Sequence, residues 1–220
     1  MSIITTESIK QSIKSGALGF TPALDDLQFR PHAVDLRLGF TFRIPKRRTE
    51  EANGRSAVVL DHYALHNGPF SYYEEATLKP GQYFDVLPEE SVMGFSLEEI
   101  DMNSPTLMGE LYPRSSVSRR GLAVDLTGII DAGYKGHLMF PIRNNTNQQV
   151  IRIYPGERIC QLVFHRLEQA VEEGYQGRYR KEPGTAPTFQ KEANSREVKL
   201  VQNGDIYQLK REFTHFEPKP

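Results

Sequence analysis

Residues 34–44 read VDLRLGFTFRI, and apolar side chains occupy every second position of this stretch. A period of two is typical of a half-buried β-strand. The polar face of the strand carries Asp35 and Arg37, and the simplest interpretation of that pair is a solvent-exposed salt bridge between strands. We therefore expect this strand to be a central element of a β-sheet.

Shorter apolar stretches separated by turn residues continue the pattern on both sides. The sequences KPGQ at residues 79–82 and PGE at residues 155–157 predict two β-hairpins. Ile9 and Ile13, four residues apart, predict one short N-terminal helix. The whole pattern predicts a mainly β sandwich or barrel. Asn203-Gly204 predicts a further hairpin near the end of the chain.

Composition excludes several classes of protein. The chain of 220 residues has 27 basic and 28 acidic side chains. It therefore lacks the surplus of basic residues that would indicate a nucleic-acid partner. Cys160 is the single cysteine, which excludes an intramolecular disulfide. The N-terminus lacks the pattern of a signal peptide, and no apolar stretch is long enough to cross a bilayer. These features predict a cytoplasmic protein with neither a nucleic-acid nor a membrane partner.

A cluster of arginines and serines lies in residues 111–121, LYPRSSVSRRG. Arginine presents a forked set of donors to phosphate oxygens, and serine adds a hydroxyl group. The cluster predicts a site for an oligophosphate, formed by Arg114, Ser115, Ser116, Ser118, Arg119 and Arg120.

A carboxylate follows a short apolar stretch further along the chain. Residues 128–133, GIIDAG, place Asp131 at the turn that ends a strand. A carboxylate fixed in a turn can serve as a general base, so Asp131 is the candidate for activating a water molecule.

These segments resemble the motifs of the dCTP deaminase and trimeric dUTPase superfamily, in the order in which the family has them. The matching segments are residues 32–39 (HAVDLRLG), 113–121 (PRSSVSRRG), 128–136 (GIIDAGYKG), 154–162 (YPGERICQL) and the tail 175–184 (YQGRYRKEPG).

The resemblance implies a distorted jelly-roll β barrel that forms a homotrimer with shared active sites. It also implies a deoxypyrimidine nucleoside triphosphate substrate bound with Mg²⁺, which the triphosphate rather than the protein would hold. Residues 1–190 would form the nucleotide hydrolase domain, with residues 175–189 as a closing tail, and residues 191–220 would be an extension of unknown role.

The resemblance also assigns roles to individual residues. Asp131 would be catalytic. Arg114, Ser115, Ser116 and Arg119 would bind phosphate. The base and the sugar would contact Asp125, Ile129, Tyr134, Met139 and Pro141. Tyr175, Arg178 and Glu182 would close over the nucleotide from the tail, and Asp35 and Gln161 would support the site.

Residue 141 separates the two chemistries of the family. Deaminase-type members have a glutamate ten residues after the motif aspartate, and Pro141 occupies that position here. Proline cannot transfer a proton. We therefore expect a dUTP diphosphatase that gives dUMP and diphosphate, and we disfavour dCTP deamination to dUTP.

Two residues leave open which pyrimidine base the substrate carries. Asp125 replaces an asparagine that dUTPases commonly have, and a carboxylate accepts a hydrogen bond from the amino group of cytosine. Glu182 replaces a glutamine of deaminase-type members. Hydrolysis of dCTP or of a modified dCTP to the monophosphate therefore remains an alternative, as does a non-catalytic nucleotide-binding regulator.

Overall fold

The computed structural model of the chain describes residues 2–46, 48–51, 54–57, 73–124, 128–175 and 195–213. Its helices are α1 (Thr6–Lys14), α2 (Ser115–Ser118), α3 (Ser195–Asn203) and α4 (Ile206–Glu212), with a 3-10 turn at Asp26–Gln28. Its strands are β1 (Ser2–Ile3), β2 (Gly19–Thr21), β3 (Phe29–Arg30), β4 (Ala33–Pro45), β5 (Arg48–Glu51), β6 (Gly54–Ala57), β7 (Tyr73–Thr77), β8 (Phe84–Val86), β9 (Ser91–Asp101), β10 (Leu107–Pro113), β11 (Leu122–Val124), β12 (Ile129–Ile130), β13 (Lys135–Asn144), β14 (Ile151–Ile153) and β15 (Arg158–Arg166).

The main sheet is antiparallel and curls into a half-barrel, with the strand order β11-β13-β9-β4-β15-β10-β12. The strands β8 and β14 form a separate ribbon, as do β5 and β6. Large apolar side chains, including Phe42, Phe140 and Phe164, fill the interior of the half-barrel. The predicted mainly β fold with a short N-terminal helix is confirmed, and Ile9 of α1 is fully buried.

The strand β4 is the predicted central strand, and it pairs with β9 on one side and β15 on the other. Its first half is buried on both faces, so Asp35 is fully buried as well as Leu36. The expected exposed pair of Asp35 with Arg37 is wrong. Arg37 instead pairs with Asp25 at 2.8 Å and donates to the carbonyl oxygen of Gly156 at 2.7 Å.

The two predicted hairpins are also wrong, although both turns form. The amide of Gln82 donates to the Lys79 carbonyl oxygen, and the amide of Glu157 donates to that of Tyr154. The strands on either side of each turn have other partners: β7 pairs with β4, and β8 pairs with β14. Each turn therefore carries the chain from one sheet to another.

The C-terminal residues form two helices where a hairpin was expected. Gly204 has a φ of +76° and follows the last residue of α3. The amide of Asp205 donates to the Leu200 carbonyl oxygen at 2.8 Å, as in a helix C-cap. The Asn-Gly pair thus ends a helix, and Arg196 of α3 pairs with Glu212 of α4 at 2.9 Å.

Two further features concern the sheet and the membrane. Among the described residues, no helix has the length and apolar character needed to span a membrane. The strand β13 lies between β9 and β11 and is not an edge strand. Pro141 lies opposite Met93 of β9, one residue before Ile142, which pairs with the last residue of β11, Val124.

Candidate active site

The carboxylate of Asp35 is the centre of a buried polar cluster. Its side chain is 0% exposed, and Arg30 donates to Oδ2 from Nε at 2.9 Å and from Nη2 at 2.6 Å. Arg114 Nε and Arg158 Nη1 both lie 3.3 Å from the same oxygen. Gln161 Nε2 donates to Oδ1 at 3.1 Å. The two predicted supporting residues therefore lie together with Arg114, because Asp35 of β4 and Gln161 of β15 are paired.

Arg114 is also the residue that precedes α2. Its Nη1 donates to the carbonyl oxygen of Arg158 at 2.9 Å, so its guanidinium group is fixed at two points. Burial lowers the pKa of Arg114, and the neighbouring Arg158 and Arg30 lower it further. The other predicted phosphate-binding residues, Ser115, Ser116 and Arg119, are exposed on or next to α2. Arg120 forms an ion pair with Glu157.

A cavity of about 220 Å³ lies between α2 and β11. Pro113 and Ser118 line it on one side, and Leu122 and Val124 line it on the other. The cavity therefore connects the arginine and serine segment with the strand that pairs with β13 beside Pro141.

Asp131 is exposed at the end of β12, as predicted. The amide of Tyr134 donates to the Asp131 carbonyl oxygen at 3.1 Å and closes the turn. Two backbone hydrogen bonds tie the turn to Met102: the amide of Gly133 donates at 2.7 Å, and the carbonyl oxygen of Tyr134 accepts at 2.8 Å. The aspartate is thus held on a rigid turn with its side chain in solvent.

The first described residues of the tail pack against this turn. The amide of Tyr175 donates to the Ala132 carbonyl oxygen at 2.7 Å, and the rings of Tyr134 and Tyr175 are 5.6 Å apart between centroids. Gly133 has a φ of +83°, and a Cβ atom placed there would lie 3.0 Å from Cα of Gly174. The tail therefore begins in contact with the turn of Asp131.

The predicted base- and sugar-binding residues have different surroundings. Ile129 is 63% exposed beside Asp131. Tyr134 is buried, and its hydroxyl group donates to the carbonyl oxygen of His137 at 2.9 Å. Met139 and Pro141 are half-buried and share one face of β13. Asp125, Arg178 and Glu182 lie outside the described residues.

The structure does not bring Asp131 and Arg114 together within one chain. Ile130 pairs with Gly109 near the start of β10, whereas Arg114 follows the last residue of β10. The five residue-to-residue steps from 109 to 114 span about 17 Å at the usual rise of a strand. A single chain therefore presents the two groups at opposite ends of β10.

Sequence reasoning missed Arg30 and Arg158 as members of the Asp35 cluster. Arg158 stands in the fourth matching segment, and Arg30 lies five residues before Asp35. The register of β4 with β15 would have indicated Arg158. It places Gln161 opposite Asp35 and Cys160 opposite Leu36. That pairing is not readable before the strand partners are known.

Comparison with known proteins gives a family match. The model of the family described as dCTP deaminase-like matches residues 3–167. A protein of Sulfurihydrogenibium named "dCTP deaminase, dUMP-forming" is 34% identical over 83% of this chain and 94% of its own length. A protein of Persephonella marina with the same name is 32% identical, again over 83% and 94%.

A solved structure shows the same fold. The crystal structure of 2'-deoxycytidine 5'-triphosphate deaminase from Agrobacterium tumefaciens superposes with a TM-score of 0.52 at 22% identity. The match covers 75% of this chain and 48% of that chain, so this chain spans about half the length of that protein.

The relatives' names correct the expected activity. They combine deamination of dCTP with formation of dUMP. The expectation of a dUTP diphosphatase that has no deaminase activity is therefore wrong. Pro141 replaces a single side chain, whereas the similarity to these relatives extends over 83% of the chain.

Proposed function

The chain belongs to the dCTP deaminase-like family, and from this premise we propose that it converts dCTP to dUMP. One water molecule replaces the amino group at C4 and releases ammonia. A second attacks the α-phosphorus and releases diphosphate. The observation that carries the proposal is the likeness to relatives named for this conversion over 94% of their length.

The residues proposed for hydrolysis of the α-phosphate are all exposed to solvent. Asp131 is exposed on a turn tied to Met102, where its carboxylate can orient and deprotonate water. Ser115, Ser116 and Arg119 are exposed around α2, and donors of this kind stabilise the charge that develops on phosphate oxygens.

Magnesium would enter as part of the substrate. Among the described residues, no three His, Cys, Asp or Glu side chains are placed to hold a metal ion together. The Asp35 carboxylate already contacts four side chains, those of Arg30, Arg114, Arg158 and Gln161. The triphosphate oxygens suit Mg²⁺, which neutralises part of their charge.

The base half of the reaction requires a proton carrier other than residue 141. Val124 pairs with Ile142, the neighbour of Pro141, and Asp125 follows Val124 in the sequence. We assign this role to Asp125: its carboxylate accepts from the cytosine amino group and transfers the proton of the attacking water. The same preference for an amino group favours dCTP over dUTP at the first step.

Assembly completes the site in this proposal. Because β10 separates Asp131 from Arg114, we propose a homotrimer in which one subunit provides the Asp131 turn and a neighbour provides the α2 segment. The tail that begins at Tyr175 would then cover the nucleotide held between them.

The test measures ammonia, diphosphate and the nucleotide product separately, with dCTP or dUTP and Mg²⁺. The wild-type protein should form dUMP from dCTP with ammonia and diphosphate in equal amounts. Asp131→Asn should bind nucleotide but lose diphosphate release by roughly 10²- to 10⁴-fold, the usual contribution of a general base. Asp85→Asn is the matched control, since Asp85 pairs with Arg152 on the separate ribbon and should leave both activities intact.

Asp125→Asn separates the two halves. It should lose ammonia release while still releasing diphosphate from dUTP. Formation of dCMP by the wild-type protein would overturn the deamination half. Nucleotide binding without any turnover would overturn the proposed reaction as a whole.

A further inference from the structure

A buried imidazole near the end of β15 has one ring nitrogen without a hydrogen bond. His165 is 7% exposed, and its Nε2 atom forms no hydrogen bond with any part of the chain that the structure describes. Glu110 of β10 lies next to it, with Oε2 at 3.1 Å from Nε2. A buried polar atom that forms no hydrogen bond is uncommon and often marks the place of a water molecule or an ion.

The strand register holds these two side chains together. Met108 lies opposite His165 and Glu110 lies opposite Val163 in the pair of β10 and β15. His165 and Glu110 are therefore diagonal neighbours on one face of the sheet. On the other side of β15, Ile3 of β1 lies opposite His165. These three neighbours are uncharged, so none of them neutralises the Glu110 carboxylate.

The distance between the two side chains suits a pair of adjacent metal ligands. Imidazole nitrogen and carboxylate oxygen bind Zn²⁺ at about 2.0–2.2 Å, so two such ligands at about 90–110° to each other lie roughly 2.8–3.6 Å apart. The observed 3.1 Å falls within this range. The lone pair of Nε2 then points at the ion and not at the carboxylate, which explains why the two atoms are close without forming a hydrogen bond.

The surroundings of Glu110 support the same interpretation. The hydroxyl group of Tyr112 donates to the Glu110 carboxylate, and this hydrogen bond raises the pKa of Tyr112. Carboxylates that bind metals usually have an outer partner of this kind. The Glu110 side chain is 37% exposed, so water can reach the pair and complete the coordination. One imidazole with one carboxylate favours Zn²⁺ or a similar transition metal over Mg²⁺.

We propose that His165 and Glu110 bind one divalent transition-metal ion of the Zn²⁺ type, with water in the remaining positions. The ion joins β10 to β15, so it stabilises the sheet. This site is independent of the proposed reaction, because the Mg²⁺ of that reaction is held by phosphate oxygens and neither residue belongs to the proposed catalytic groups.

The test titrates Zn²⁺ into the full chain without nucleotide and measures binding by calorimetry. His165→Gln should bind one ion fewer per chain than the wild type. Glu110→Gln should bind the ion at least about tenfold more weakly, and it decides the question if His165→Gln does not fold. Tyr112→Phe should weaken binding by roughly 10- to 100-fold, the usual effect of removing an outer partner of a metal ligand.

His137→Gln is the matched control. His137 is a half-buried histidine of β13, and its Nδ1 lies 3.0 Å from the carbonyl oxygen of Ser96. This variant should bind as many ions as the wild type and with the same affinity. Zn²⁺ should also raise the melting temperature of the wild type more than that of His165→Gln, because an ion that binds only the folded chain stabilises it.

Two results would overturn the metal site. One is a wild-type protein that binds no Zn²⁺. The other is a pair of variants, His165→Gln and Glu110→Gln, that bind as many ions as the wild type with unchanged affinity. Losses in these two variants and in Tyr112→Phe, but not in His137→Gln, would support the site whether or not the protein converts dCTP.

Discussion

At the scale of single residues, Gly133 joins the turn of Asp131 to the tail. Its backbone has a φ of +83°, a conformation that residues other than glycine rarely adopt. A Cβ atom there would also lie 3.0 Å from both Cα of Gly174 and the amide nitrogen of Tyr175. Two separate reasons therefore favour glycine at this position.

Gly133→Ala should reduce stability by about 1–2 kcal/mol and should displace the Gly174-Tyr175 segment from the turn. We expect kcat/KM to fall as well, since Tyr175 is bonded to Ala132 beside Asp131. Gly81→Ala is the control: Gly81 has a φ of +85° but no atom within 4 Å of the added Cβ. Urea unfolding and steady-state kinetics measure both effects, and equal losses in the two variants would show that the contact with Gly174 is unimportant.

Asp35 illustrates what the sequence could not predict about single residues. The period of two correctly predicted the strand and its apolar face. It could not predict that β3, β10 and β15 would bring Arg30, Arg114 and Arg158 to the other face, because those arginines are up to 123 residues away in sequence. A carboxylate that looked exposed is therefore the buried centre of a cluster.

At the scale of elements, the seam between β4 and β9 contains a second buried carboxylate. Glu98 is almost fully buried; its Oε1 accepts from Gln28 Nε2 at 2.7 Å and its Oε2 from the Arg37 amide at 3.0 Å. Burial raises the pKa of Glu98, against the lowering effect of these hydrogen bonds. The seam therefore has a pH-dependent stability of its own.

The folded protein holds the Glu98 proton more tightly than the unfolded chain does. The cost of burying the ionised group is absent below the unfolded pKa, grows as pH rises through the interval up to the raised folded pKa, and is complete above it. We therefore expect the free energy of unfolding to fall less across this interval in Glu98→Gln than in the wild type. Urea unfolding from pH 4 to 8 measures the difference.

Glu75→Gln provides the comparison for that experiment. Glu75 lies on the strand β7, which also pairs with β4, but its side chain is 47% exposed and paired with Arg43. Its profile should follow that of the wild type. Parallel profiles for Glu98→Gln and the wild type would contradict the assigned origin of the pH dependence.

Turns were predicted correctly at this scale, but strand partners were not. The sequences KPGQ and PGE form their turns because proline and glycine fix local backbone angles. Whether the two flanking strands then pair with each other depends on the other strands available. Here β7 pairs with β4, β8 pairs with β14, and β15 pairs with β4 and β10. Local chemistry therefore determines where the chain turns, and the whole sheet determines what it pairs with.

At the scale of the whole molecule, the two main groups of the proposed site, Asp131 and Arg114, lie towards the two ends of β10. The sequence placed Asp131 and the Arg114 segment within 17 residues of each other, and their motifs correctly indicated the family. It could not predict that the intervening chain returns along β10 and leaves the two groups about 17 Å apart. Only the register of β10 with β12 shows this separation.

Mixed oligomers test the division. Asp131→Asn and Arg114→Gln should each be inactive alone. Subunits of the two variants, unfolded and refolded together in equal amounts, should recover about a quarter of wild-type activity, because an intact aspartate meets an intact arginine in that fraction of random neighbours. Refolding of each variant alone is the control. A mixture that stays inactive would mean that both groups act from one chain.

The length of β10 has a consequence for how activity appears in a cell. Under the proposed assembly, a newly synthesised chain, which carries the aspartate and the arginine at opposite ends of one strand, has no complete site until it meets another copy. Catalysis should then rise more steeply than the amount of protein and should decrease on simple dilution.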